Sequence, residues 1–185
     1  MRDFIERSWK RHLDLIGSLS FLFGDMEALA LKLKEVLAGG GKVLVFGNGG
    51  SAASAQHFAS ELVGRLVKED PLHYPALALT TDAFLLTALA NDFGYQEVFS
   101  RQIEVLGRPG DMALGITTSG KSPNVLKALE VARTMGLVTV GLTGGEGLAL
   151  EVDLEVRVPS RDTPRVQEAH DFILHTVAAA VKLLV

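Results

Sequence analysis

The sequence predicts a doubly wound α/β fold around a five-stranded parallel sheet, and three observations lead there. Short apolar runs alternate with amphipathic helical stretches from residue 42 to the end, the pattern of strands joined by helical crossovers. Two of those runs open into loops rich in glycine or hydroxyl residues, at 47–50 and 117–122, where such a fold binds ligands beyond the carboxyl ends of its strands. The third is composition: 185 residues, 48% hydrophobic and 22% charged, suit one soluble domain with a buried core. The chain is therefore read as a single domain over 1–185, with a helical pair in 1–38 and the α/β core in 42–185. No linker or low-complexity stretch divides it.

Residues 2–16 carry Phe4, Ile5, Trp9, Leu13 and Ile16 at helical spacing, and a second helix runs from Asp25 through Met26, Leu29, Leu33, Val36 and Leu37 to the glycines at 39–41. Such a pair can pack on the sheet or against another subunit. KVLVF at 42–46 is the first strand. A helix follows, with Ser51 suited to cap it. After a polar loop at 64–71, PALALT at 75–80 reads as the second strand. Asp82 caps a helix through Leu85, Leu86 and Leu89 that stops around 91–94, and another helix spans 96–106. The third strand is 111–116, followed by a helix over 124–135. LVTVGL at 137–142 is the fourth strand, and 152–158 is the fifth, with the alternating polarity of an edge. The stretch 143–156 leaves little room for a helix between those last two strands. From Thr163, Val166, Ala169, Phe172, Ile173, Val177 and Val181 define a long final helix.

Charge and cysteine usage narrow the function. A net charge of −4 provides no basic field for a nucleic-acid backbone or an anionic membrane, so neither is an expected partner. Any anionic ligand must be held by local groups. The absence of cysteine excludes disulfides, thiolate metal sites and cysteine nucleophiles, which leaves His, Asp, Glu and amide oxygens as metal ligands. No apolar run approaches the roughly eighteen residues of a membrane span. The first ten residues are too polar for a secretion signal. The protein is read as cytoplasmic.

The chain is organised around GNGGSAASAQHFASE at 47–61. Asn48, Gly49 and Gly50 let the backbone approach a ligand closely, and the helix that follows aims its free N–H groups and positive dipole end at the same place, which suits an anion. His57 and Glu61, four residues apart, stack on one helical face and can reach one metal ion or one substrate. Alone, such a pair is ordinarily a surface contact. Its position just beyond a ligand loop marks it as a site.

A second loop, GITTSGKS at 115–122, also fits the GxxxxGKS pattern of a nucleotide-binding loop. Pro123 removes the N–H that would face a phosphate just after Ser122, and no apolar strand ending in a magnesium-binding Asp follows. The better reading is that Thr117, Thr118, Ser119 and Ser122 place four hydroxyls at a helix N-terminus, where they hold a phosphate monoester without any lysine. Capping alone explains one or two of them. On the last helix, Gln167 and His175 differ by eight positions, about 80° of helical rotation, and can converge on one partner. His170 reads as structural.

Together GNGGSAASAQHFASELVGR, LTTDAFLLTALANDFGYQEVFSRQ, ITTSGKSPNVLKALEVAR and DTPRVQEAHDFILH resemble the phosphoheptose isomerases of the sugar isomerase (SIS) domain superfamily, in family order and over most of 39–175. The resemblance implies a flavodoxin-like sheet and a homotetramer with active sites at subunit interfaces. It implies conversion of sedoheptulose 7-phosphate to D-glycero-D-manno-heptose 7-phosphate, feeding lipopolysaccharide or other surface glycans. By the same resemblance, Asn48, Gly49, Gly50 and Ser51 form the first substrate loop, Asn91 and Asp92 the next contact, and Thr117, Thr118, Ser119 and Ser122 the phosphate loop. His57, Glu61, Gln167 and His175 match the ligands of one zinc ion per subunit, with Gln167 also touching substrate and Glu61 and His175 the acid–base pair. A ligand held through its only basic atom is a poor proton carrier, so metal binding and acid–base action would alternate. Thr117 and Lys121 stand where Ser and Asn are common, and Asp171 where an apolar residue is usual. Two other readings fit the loops: a non-catalytic SIS-domain regulator that binds the replication initiator, and an isomerase of another sugar phosphate.

Overall fold

The computed structural model describes residues 1–64 and 73–183. In chain order the elements are α1 (Arg2–Ser18), α2 (Phe23–Ala38), β1 (Val43–Gly47), α3 (Gly50–Val63), β2 (Ala76–Ala78), α4 (Ala83–Phe93), α5 (Ser100–Leu106), β3 (Met112–Thr117), α6 (Pro123–Thr134), β4 (Val138–Gly144), β5 (Leu154–Val158) and α7 (Thr163–Leu183). A 3-10 turn, Leu19–Leu22, joins α1 to α2. The five strands are all parallel, in the order β2-β1-β3-β4-β5. The chain thus turns from one side of β1 to the other, and the crevice between the β1 and β3 loops lies at that reversal, where α/β folds bind ligands.

Strand alternation builds two cores from one sheet. Val43 and Val45, Met112, Leu114 and Ile116, Val140 and Leu142, and Val156 and Val158 face one side, against α2, α3 and α7. Leu44, Phe46 and Ala113 face the other, against α5 and α6. Burial on both faces explains why β1 and β3 read as unbroken apolar runs. Gly115 lets α6 close on the sheet, since a Cβ there would lie 2.9 Å from Val125 and 3.0 Å from Leu129.

The β4–β5 connection contains no helix among the described residues, as the short spacing predicts. The loop itself covers that face. Leu148 packs onto Gly141, and Glu155 Oε1 accepts from the Leu148 N–H (2.8 Å) and from Thr143 Oγ1 (2.6 Å). At the amino end of β3, Asp111 accepts from the Lys42 N–H (2.9 Å), Lys42 Nζ (2.5 Å) and the Arg108 N–H (2.8 Å), tying β1 and β3 together.

Three local expectations are corrected. Ser51 does not cap α3: the cap is Gly49, at φ 55°, and Ser51 lies buried inside the helix. Glycine reaches the left-handed region at no steric cost, so the helix begins earlier than a serine cap would allow. The 96–106 helix divides into a 3-10 turn, Tyr95–Glu97, and α5, because the Ser100 hydroxyl donates to the Glu97 carbonyl (3.2 Å) and carboxylate (2.8 Å) and competes with the helical ladder. The second strand has three residues rather than six. Asp82 does cap α4, accepting from the Leu85 N–H at 2.9 Å. Most of the polar loop expected at 64–71 lies outside the described residues.

Candidate active site

Packing of α3 against α7 brings His57, Glu61 and His175 together, 114 positions apart in sequence between the last two. Glu61 Oε1 lies 3.2 Å from His57 Nε2 and 2.7 Å from His175 Nδ1, and the imidazole rings sit 4.8 Å apart. The carboxylate is buried, with 8% of its side chain exposed, while the two histidines are about half exposed at 54% and 49%. Glu61 Oε2 is buried without a hydrogen-bond partner among the described residues. A buried carboxylate oxygen left unpaired costs free energy unless something other than this chain uses it.

One ligand atom from each of these three residues lies within 4.8 Å of the others, so the group could hold a metal ion. The donors, two imidazole nitrogens and a carboxylate oxygen, are those of a borderline cation. Gln167 joins from about two turns earlier on α7: its amide packs so tightly on Gly50 that a Cβ there would lie 2.3 Å from Nε2. A cavity of about 410 Å³ is lined by Gly50, Ala53, Ser54, His57, Gln167, Asp171 and His175. The β1 loop and the two histidines that flank the carboxylate therefore face one space.

The second loop begins at the end of β3 and leads into α6. The Thr117 hydroxyl lies 3.0 Å from that of Ser122 and 3.5 Å from that of Ser119. Ser122 is the N-terminal cap residue of α6, yet its side chain makes no capping bond. The capping explanation for these hydroxyls therefore fails. Pro123 occupies the first turn of α6, as its missing N–H allows. Lys121, which a nucleotide-binding loop would turn inward, is exposed and pairs with Glu146 at 3.2 Å.

A family model described as SIS domain matches residues 20–144. The phosphoheptose isomerase of Trichlorobacter lovleyi is 46% identical, over 98% of this chain and 94% of that protein. The phosphoheptose isomerase of Paramagnetospirillum magneticum is 58% identical over 80% of this chain and 78% of that protein. A solved phosphoheptose isomerase from Francisella tularensis superimposes with a TM-score of 0.93 at 36% identity, covering 98% and 97% of the two chains. The chain belongs to the phosphoheptose isomerase family.

Within this phosphoheptose isomerase fold, the other sequence-predicted residues fare unequally. Asn48 accepts from Asn124 Nδ2 (2.9 Å) and from the Tyr95 hydroxyl (3.0 Å), and donates to Asn124 Oδ1 (2.9 Å). Asn91 and Asp92, at the end of α4, are exposed and bonded to each other (2.8 Å), and no hydrogen bond among the described residues carries them to the rest of the site. His170 is structural: its Nε2 donates to the Thr143 carbonyl (3.0 Å), and burial pushes its imidazole down to about 4, against the milder opposite pull of that hydrogen bond and of Asp171.

Sequence reasoning missed several residues of the phosphoheptose isomerase site. Asn124 and Tyr95 left no signal beyond their closeness to loops already marked. Ser54, one turn into α3, is buried and donates to Asp171 Oδ1 at 2.6 Å. Asp171 itself was marked in the sequence as a departure between Gln167 and His175, with which it shares one face of α7. Beside the hydroxyl loop, a further pocket of about 230 Å³ is lined by Thr118, Ser119, Lys121, Gly145, Glu146, Arg161 and Thr163.

Proposed function

We propose that the chain converts sedoheptulose 7-phosphate to D-glycero-D-manno-heptose 7-phosphate, an aldose–ketose isomerisation in heptose biosynthesis for lipopolysaccharide or other surface glycans. The observation that carries this reading is the Glu61 carboxylate: buried, 2.7 Å from His175, with one oxygen unpartnered, beside a loop suited to an oxygen-rich ligand. The reaction moves a hydrogen from C1 of the ketose to C2 and a proton from the oxygen on C1 to the oxygen on C2. Glu61 takes the C1 proton, the enediolate forms, and the same carboxylic acid returns the proton to C2. His175 moves the proton between the two oxygens and serves ring opening.

The phosphate is held by Thr117, Thr118, Ser119 and Ser122 with the N-terminal end of α6, and the sugar by the backbone of Asn48, Gly49, Gly50 and Ser51 with Gln167. His57, Glu61, Gln167 and His175 hold zinc, which their mixed nitrogen and oxygen donors suit. When bound, the ion polarises the substrate carbonyl. Glu61 Oε1 points to both histidines, as an ion ligand would, and metal binding and proton transfer at this carboxylate alternate.

Assembly is part of the proposal. Phe4, Ile5, Trp9 and Leu13 along α1 are exposed, at 62%, 59%, 60% and 49%, which supports burial against further copies in a homotetramer. Asn91 and Asp92 then contact substrate at a subunit interface. Among the described residues no helix is long and apolar enough to cross a membrane, and the proposed setting is a single SIS domain working in the cytoplasm. The test is turnover of seven-, six- and five-carbon ketose phosphates followed by NMR, with bound metal measured on the same preparation. Aldose formed from the heptulose ester with zinc bound is the expected result. Turnover of a shorter ester alone would make the protein another sugar phosphate isomerase, and binding of the replication initiator without turnover would make it a regulator.

A further inference from the structure

The β1 and β3 loops meet side by side at the carboxyl edge of the sheet, with Gly47 in register with Ile116. Across that boundary, Asn48 and Asn124 exchange two hydrogen bonds, each amide oxygen accepting from the other's Nδ2 at 2.9 Å. Both oxygens are then filled. Asn48 Oδ1 also accepts from the Tyr95 hydroxyl at 3.0 Å, and Asn124 Oδ1 from the Val125 N–H at 3.0 Å. An amide oxygen has two lone pairs, so neither retains one for a ligand. Asn124 is buried, with 2% of its surface exposed, at the second position of α6.

We infer that the reciprocal Asn48–Asn124 pair, braced by Tyr95, is a clip that fixes the distance between the sugar loop and the phosphate loop, and that the Asn48 side chain positions its loop instead of accepting hydrogen bonds from substrate. Asn124 and Tyr95 are positioning residues. Loop 47–50 and loop 117–122 rise from neighbouring strands, no side-chain bond joins them directly among the described residues, and the pair ties loop 47–50 to the first turn of α6, which loop 117–122 leads into. Two hydrogen bonds across a part-buried boundary set one separation of the loops, and a sugar phosphate must span that separation to touch both. Misplacement of one loop by about 1 Å weakens every contact the spanning ligand makes.

The kinetic part of this inference rests on the proposed isomerase activity; the binding part does not. Asn48→Ala, Asn124→Ala, the double variant and Tyr95→Phe are compared with the unaltered chain in two measurements: calorimetric binding of inorganic phosphate, and KM and kcat for sedoheptulose 7-phosphate. The expected result is a KM raised about tenfold in each alanine variant with kcat within about threefold, because Glu61 and His175 lie outside the clip. The double variant should cost no more than either single one, as two halves of one interaction do. Tyr95→Phe should raise KM about threefold, while inorganic phosphate, which touches one loop only, should bind within about twofold in every variant. General destabilisation would lower the melting temperature without this split between KM and kcat.

If Asn48→Ala costs tenfold or more while Asn124→Ala leaves KM within twofold, Asn48 reads the substrate directly and the clip is overturned. Multiplying effects in the double variant overturn it as well. Should Asn124→Ala not fold, Asn124→Asp keeps the shape, removes the donor toward Asn48 and is judged by the same criteria. An inactive unaltered chain refutes the isomerase, and calorimetric binding of the heptulose ester, which spans both loops, then decides the clip by the same criteria.

Discussion

Asp111 and Glu61 are both buried carboxylates, exposed by only 3% and 7%, and they are used in opposite ways. Asp111 is fully occupied: Lys42 supplies a charge and an N–H, and Arg108 a second N–H. Glu61 has one oxygen between two histidines and the other without a partner among the described residues. A carboxylate that the fold needs is saturated by the fold. The one proposed to carry chemistry has an oxygen that the described residues leave unused.

The largest effect is expected from Glu61→Gln, which keeps size and shape but removes the proton carrier. The isomerisation rate should fall by about a thousandfold, with the circular dichroism spectrum and melting temperature held or raised. Full activity in that variant would erase the distinction between the two carboxylates.

His170 extends the contrast, because it too has a buried atom without a partner, Nδ1, and yet sits away from the proton chemistry. Its imidazole is held at about 4 against the usual 6.5, so an unfolded chain takes up a proton between those values that the folded chain refuses. Stability should therefore fall as pH drops through that window, by about 3 kcal/mol at its lower end. His170→Leu should flatten that slope in urea titrations at several pH values. An unchanged slope would mean that the ring accepts its proton without cost.

Asp111→Asn should destabilise the protein by about 2 kcal/mol through its lost charge-assisted bonds, while kcat of the folded enzyme remains within about twofold. A large fall in kcat with stability intact would reverse the roles assigned to the two carboxylates. Ser122→Ala should have the smallest effect, removing one hydroxyl from the proposed phosphate loop. KM should rise about fivefold, the value of one hydrogen bond, with kcat little changed.

The strands and the edge position of β5 were legible because burial on two faces or one writes a different alternation into each segment. The His57–Glu61 pair was legible too, since helical spacing is local. His175 lies 114 positions from Glu61, and its place beside the carboxylate follows from the packing of α3 on α7, which only the resemblance of whole blocks anticipated. Asn124 was missed for the same reason: its partner is 76 positions away, and nothing in the residues around it marks the pairing. Ser51 was misread as a cap because serine propensity outweighed the backbone freedom of the glycine two places earlier.

The close packing of the Gln167 amide on Gly50 has a consequence for how the site tolerates change. One added methyl on the turn proposed to hold the sugar would displace the end of a last-helix side chain proposed to hold the ion, so if both assignments stand a defect in sugar recognition would surface also in ion retention. The two halves of the proposed site, read separately from sequence, thus meet at one movable amide.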